Sequence, residues 1–262
     1  MTEELAPMRE QVYKDLRPKE YFDRFHERTR SGPPDAMYEL VRLVITPIGQ
    51  LGYRARCISS EKVPQSGPVI ITPNHFSFWD HFFVAMFIRR RVQFMAKSQL
   101  FTRPLQFIYN HGGVFPVRRG HHDEEAFITA KQILGRGGCI VMYPEGGRSR
   151  TGKLAEKAKA GVGRLALETG AAIVPVAING SAKVRNWKRL QVPKVTVQYG
   201  DAIAYEQVDS PTRDQQQVVA DEIFDDVKRL YAGLDRLGRR GMVQRIREQR
   251  RAEQSGRRTA TA

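Results

Sequence analysis

The sequence predicts an α/β fold: a largely buried, mixed or mostly parallel sheet flanked by helices, with helical extensions at both ends. Three observations carry this. Short apolar, β-branched runs alternate with segments of helical period along most of the chain. Glycines fall where several of those helical segments should stop, at Gly49, Gly135 and Gly170. The length, 262 residues, suits one large domain with appendages and allows a sizeable core.

Residues 1–35 are polar and charged, with Met8, Val12 and Leu16 at helical spacing, and Ser31-Gly32-Pro33-Pro34 breaks the pattern. An apolar helix is expected over 34–48. A strand follows over 54–59, then a short buried strand over 68–72 between Gly67 and Pro73. Residues 79–88 read as helix, 92–96 and 113–117 as strands, with a helix near 104–109 between them. Helix is expected over 124–134, strand over 139–143, helix over 161–168, and strands over 171–178 and 195–199. Ser210-Pro211 reads as an N-cap with proline at the first helical position. The helix it opens carries Val219, Ile223, Val227, Leu230 and Leu234 on one face. The expected division is a helical, membrane-associating segment over 1–50, an α/β domain over 51–208, a C-terminal helix over 209–238 and a basic, solvated tail over 239–262.

A net charge of +15 and a pI near 10.1 call for an anionic partner: nucleic acid, an anionic membrane surface or a phosphorylated substrate. The arginines of the tail would suit nucleic acid, but no nucleic-acid-binding motif occurs, so a membrane surface is the expected partner. The two cysteines, Cys57 and Cys139, lie among apolar or β-favouring neighbours and read as core thiols of a reducing compartment. No zinc-ligand spacing is present. Met1-Thr2-Glu3-Glu4-Leu5 is too acidic for a signal peptide, and no run reaches the roughly 18 apolar residues of a spanning helix. The expected location is therefore the cytoplasmic face of the cell membrane, peripheral or monotopic.

One pair of residues carries chemistry. His75 follows a buried strand and Asp80 opens the next helix. On a single helix, residues five apart would diverge by about 140°. They meet only if His75 lies in the turn that Pro73 and Asn74 favour. A carboxylate on one imidazole nitrogen fixes the tautomer and leaves the other free to take a proton from a weakly acidic alcohol. Taken alone, the pair reads more readily as an exposed histidine beside a helix-capping aspartate than as a catalytic pair.

The flanking residues decide between these readings. Asn74-His75-x-Ser77-x-x-Asp80 resembles the first motif of the glycerolipid acyltransferase family, whose simplest members are 1-acylglycerol-3-phosphate acyltransferases. Gly113-Val114-Phe115-Pro116-Val117-Arg118-Arg119, Tyr143-Pro144-Glu145-Gly146-Gly147-Arg148-Ser149-Arg150 and Ile173-Val174-Pro175-Val176 resemble the next three motifs, in order. Met95-Ala96-Lys97-Ser98-Gln99-Leu100-Phe101 is also similar. Two positions depart from the pattern: Arg118 stands where many members carry Asp, and Gly147 where Thr is usual.

The resemblance implies a glycerol-3-phosphate acyltransferase-like fold and transfer of a fatty acyl group from acyl-CoA or acyl carrier protein to a lysophospholipid, in the first place lysophosphatidic acid. Glycerol 3-phosphate, other lysophospholipids and a glycolipid remain alternative acceptors. His75 and Asp80 are the implied catalytic residues. Arg119 is the implied phosphate ligand, with Arg118 second. Glu145 and Gly146 would position the glycerol phosphate, with Arg148 adding charge, and Ser77 and Lys97 complete the candidate contacts. No serine or cysteine sits in a nucleophile-elbow pattern, so direct transfer is expected, with backbone N–H groups on the oxyanion and no metal or prosthetic group. An inactive lipid-binding protein of this fold would not need His75, Asp80, Arg119 and Glu145 together.

Overall fold

The computed structural model describes residues 5–8, 15–119, 123–189 and 192–260, without the side chains of 187–189 and 256–260. Its strands are β1 (Arg56–Ile58), β2 (Val69–Pro73), β3 (Gln93–Lys97), β4 (Val114–Val117), β5 (Cys139–Val141), β6 (Ala172–Asn179) and β7 (Thr196–Tyr199). They form one sheet in the order β1-β7-β6-β2-β5-β3-β4. All neighbours are parallel except β6 and β7, so the expected mixed, mostly parallel sheet is present.

The alternation of side chains along each strand divides the core in two. On one face, Val69, Ile71, Val141, Val174 and Val176 pack with Tyr38 of α2 (Ala36–Pro47) and with Phe83 and Val84 of α3 (Asp80–Ala85). On the other, Ile70, Ile140 and Ile173 meet α5 (Glu124–Gly135), α6 (Gly161–Thr169) and α7 (Arg213–Ala260). Both faces of β2 are covered, which is why that strand reads as a continuous apolar run. Cys139 of β5 is buried in the first of these two clusters, and burial pushes its thiol up to about 12. Pro175 lies inside β6, opposite Thr72 of β2. It is tolerated because pairing on the β7 side is interrupted there, between the Ile173–Ile203 bridge and the start of the ladder at Val176–Tyr199.

Helix ends follow local chemistry. The Asp35 carboxylate accepts from the Met37 N–H at 2.9 Å and starts α2, and Gly170 at φ 58° ends α6. The start of α7 differs from expectation. Thr212, not Ser210, is the cap: its hydroxyl accepts from the Gln215 N–H while the Gln215 side chain accepts from the Thr212 N–H, a reciprocal box that Ser210-Pro211 cannot make.

The N-terminal part also differs. Met8 and Leu16 are not helical, Leu16 is 87% exposed, and Val12 lies outside the described residues. The helix there is α1 (Glu20–Ser31), whose Phe22 and Phe25 bury against Phe101. Beyond Gly238 (φ 64°) the chain does not simply enter solvent. α7 resumes, Met242 buries against Ile58, Ala177 and Leu234, and Arg239 donates to the Val195 carbonyl and the Thr196 hydroxyl. The side chains of Arg257 and Arg258 lie outside the described ones.

Candidate active site

The segments that follow β2, β3, β4 and β5 emerge at neighbouring carboxyl ends of the parallel strands, where open α/β sheets place ligands. They bring together His75, Lys97, Arg119 and the 143–149 loop.

His75 leaves β2 in a turn, and Asp80 is the first residue of α3. The Asp80 Oδ2 atom accepts from the His75 Nδ1–H at 3.0 Å and from the backbone N–H groups of Phe76 and Ser77, each at 2.7 Å. One buried carboxylate oxygen thus folds the turn and orients the imidazole, leaving Nε2 as the basic nitrogen. Burial holds the His75 imidazole below its ordinary range, with Asp80 opposing and the Arg148 and Arg119 charges assisting the shift. The ring is therefore neutral and basic at neutral pH. Asn74 fixes the strand end: its side chain exchanges two hydrogen bonds with the backbone of Ile178.

Glu145 supports the same turn. Its Oε2 accepts from the His75 N–H at 2.7 Å and its Oε1 from the Ala155 N–H at 3.1 Å. Burial raises its carboxyl to about 7. Both oxygens hold backbone, so the residue orients the base as well as lining the adjacent cavity. That cavity, of about 770 Å³, is also lined by Arg119, Arg148, Lys153 and Lys159, and its charge suits a phosphate. Gly146, at φ 66°, lets the loop pass Lys159, whose Cγ a Cβ there would meet at 2.9 Å.

A second cavity, of about 140 Å³, is almost wholly apolar. Val41 and Ile45 of α2, Phe78, Phe82 and Ile108 line it together with His81. His75 stands between the two, its ring centroid 5.2 Å from that of His81 and its backbone on Glu145.

Other candidates are placed differently. Arg118 turns away from the basic cavity: its guanidinium donates to the Arg17 carbonyl and lies 6.0 Å from the Phe22 ring. Both arginines lie beyond the end of β4 at Val117, and it is Arg119 that lines the basic cavity. Ser77 is buried, and its Oγ accepts from the Trp79 N–H at 3.2 Å, which makes it part of the turn rather than a ligand contact. Lys97 ends β3, held below the usual lysine range by burial and then by the charges of Arg148 and Arg119.

Tyr143, although part of the third motif, His81 and Arg185 have roles that no sequence pattern assigns. Tyr143 stacks on His75 at 3.9 Å, and its hydroxyl lies 2.8 Å from the His81 Nδ1. Arg185 donates to the Phe76 carbonyl at 3.0 Å, to the Arg150 carbonyl at 2.7 Å and to the Ser149 carbonyl, tying the His75 turn to the Arg148 loop. It stands 109 residues from Phe76 along the chain, so no spacing rule could find it.

The profile of the family described as Acyltransferase matches residues 54–179, a stretch that holds His75, Asp80, Arg119 and Glu145 but neither Arg185 nor the α2 residues of the apolar cavity. Residues 54–179 are thus similar to the acyltransferase family. Curated relatives of this chain include the chloroplastic 1-acyl-sn-glycerol-3-phosphate acyltransferase LPAT1 of Arabidopsis thaliana, 27% identical over 136 residues, covering 50% of this chain and 38% of the relative. The 1-acyl-sn-glycerol-3-phosphate acyltransferase of Cocos nucifera is 28% identical over 132 residues, covering 48% of this chain and 42% of the relative. The chain thus spans about two-fifths of the length of these relatives in the matched region. The crystal structure of the 1-acyl-sn-glycerophosphate acyltransferase PlsC from Thermotoga maritima superposes with a TM-score of 0.56 at 21% identity, covering 80% of this chain and 88% of that one, and so shares the fold.

Proposed function

We propose that the chain transfers a fatty acyl group from the thioester of acyl-CoA or acyl carrier protein to the free hydroxyl of lysophosphatidic acid, yielding phosphatidic acid. The observation that carries this is the position of an oriented imidazole between an apolar cavity and a basic one. The acyl chain occupies the apolar side, and the acceptor's phosphate meets Arg119 and Arg148.

His75 Nε2 takes the hydroxyl proton as the oxygen attacks the thioester carbonyl. The C–O bond forms and the carbonyl π pair moves to oxygen. Collapse breaks the C–S bond, and the thiolate leaves with the proton that His75 carried. Asp80 holds the imidazolium between these steps. General-base assistance of this kind is worth roughly 10²–10⁴-fold. Since His75 performs both proton transfers, the reaction calls for no metal or prosthetic group.

Contact with the membrane follows from the same region. The apolar residues Leu43 and Leu51, 72% and 79% exposed, lie on and just beyond α2, the helix whose Val41 and Ile45 line the apolar cavity. Among the described residues no helix is long and apolar enough to cross a bilayer, so association is with its surface.

Acyl transfer should be lost in His75→Ala and in Asp80→Ala while circular dichroism is unchanged. Near-normal turnover in His75→Ala would sink the mechanism. A panel of acceptors and both thioester donors, followed as lipid product, identifies the substrates. Greater activity on glycerol 3-phosphate than on lysophosphatidic acid would replace the acceptor named here.

A further inference from the structure

His81 and Tyr143 form a polar pair that the proposed chemistry has not used. His81 follows Asp80 on α3 and lines the apolar cavity. Its surroundings there are Phe78 and Phe94, with ring centroids at 6.0 and 5.6 Å, and its polar neighbours are Tyr143 and His75. An imidazole on an apolar wall, beside the base and at the point where an acyl carbonyl must arrive, is a costly placement without a use.

The hydrogen bond to Tyr143 decides what the ring presents. Among the described residues the Tyr143 hydroxyl has one hydrogen-bond partner, the His81 Nδ1 at 2.8 Å. A buried phenol left without an acceptor for its proton would forfeit a hydrogen bond, so Tyr143 donates and Nδ1 accepts. Nε2 then carries the ring proton, and among the described residues nothing accepts from it. Burial, and then the neighbouring His75, Arg148 and Arg119, hold His81 well below its ordinary range, so the ring stays a neutral donor at neutral pH.

We propose that His81 is a second catalytic imidazole, which donates a hydrogen bond from Nε2–H to the acyl carbonyl oxygen as that oxygen becomes the oxyanion, with Tyr143 fixing its tautomer. This rests on the reading of His75 as the base for acyl transfer. A hydroxyl that donates to His75 and a carbonyl oxygen that accepts from His81 call for two imidazoles side by side, roughly two hydrogen-bond lengths apart. The two ring centroids lie 5.2 Å apart, which sets the imidazoles side by side. His81 only donates a hydrogen bond; the protons and the leaving thiolate move as already described. The expectation of backbone N–H groups alone on the oxyanion is thereby extended to a side chain.

The test compares His81→Leu, His81→Gln, Tyr143→Phe and His75→Ala with the wild type, using an acyl-CoA and lysophosphatidic acid. His81→Leu should lower kcat roughly 100- to 1000-fold, with both KM values within about threefold. His81→Gln, which restores an N–H donor, should recover at least about tenfold of the loss. Wild-type protein labelled with ¹⁵N-histidine should show His81 as the neutral Nε2–H tautomer at pH 7, and Tyr143→Phe should remove that preference and lower kcat. Near-normal kcat in His81→Leu, an equal loss in the Leu and Gln variants, or the opposite tautomer in the wild type overturns the proposal. If His81→Leu does not fold, the tautomer and the Gln and Phe variants decide. An active His75→Ala sinks the base reading, whereas an inactive His75→Ala beside a normal His81→Leu sinks only the role of His81.

Discussion

Asp80 shows how much one side chain can hold. It is fully buried, and a single oxygen accepts from His75, Phe76 and Ser77. Replacing it removes both the orientation of the base and the closure of its turn. It also removes the interaction that opposes burial at His75, so any residual activity of Asp80→Asn should keep its acid limb to lower pH than the wild type. A pH profile of kcat/KM for both proteins checks this, and the wild-type limb itself should lie below the ordinary 6.5. Arg118 and Arg119 make a second contrast. Arg119→Ala should raise KM for the phosphorylated acceptor about tenfold or more, while Arg118→Ala should leave it unchanged, because Arg118 is spent on the Arg17 carbonyl. The arginine pair was legible in sequence, and the contacts beyond β4 separated its members; Arg185 was not legible, since its three carbonyl partners lie far away along the chain.

At the scale of elements, helix contacts set the shape of the site. α6 and α7 touch closely at Gly163, where an added Cβ would meet the Gln216 carbonyl oxygen at 1.9 Å and the Ala220 nitrogen at 2.8 Å. Backbone cannot yield as a side chain does, so Gly163→Ala should destabilise by at least about 1–3 kcal/mol, read as a lower midpoint in urea unfolding. Arg185, in the 3₁₀ segment Ser181–Arg189, joins two loops that come from β2 and β5. Arg185→Ala should lower kcat more than it raises KM, because it loosens the base relative to the phosphate loop. Strand and helix types were readable from period and from glycine positions, and β2, α5 and α6 lie close to their expected spans. The start of α7 was not, because Thr212 and Gln215 cap each other only once the turn has formed.

For the whole molecule, pH acts through a buried histidine remote from the chemistry. His26 is 2% exposed, hydrogen-bonded to the Thr129 hydroxyl, and burial lowers it to about 4. Above 6.5 the ring is neutral in both folded and unfolded chains. As pH falls from there toward 4 the unfolded chain takes the proton first, so stability is lost across that window, on the order of 3 kcal/mol for this group. His26→Gln should remove this part of the pH dependence in denaturant melts at pH 7 and pH 5. The net charge of +15 acts at longer range. Binding to anionic vesicles should weaken as salt rises, and Leu43→Glu with Leu51→Glu should weaken it further. Tighter association with duplex DNA than with vesicles would reverse the choice of anionic partner.

The sequence by itself determined the α/β class, the buried strands and the ordered motifs around His75, Arg119 and Glu145, because period, turn residues and local spacing are short-range properties. Tertiary structure alone decided that Glu145 holds the His75 backbone, that Arg118 faces the N-terminal segment, and that Tyr143, His81 and Arg185 join the site. Those contacts depend on which strand ends become neighbours in the sheet. That order follows from packing both faces of the core at once, which no local stretch of residues encodes.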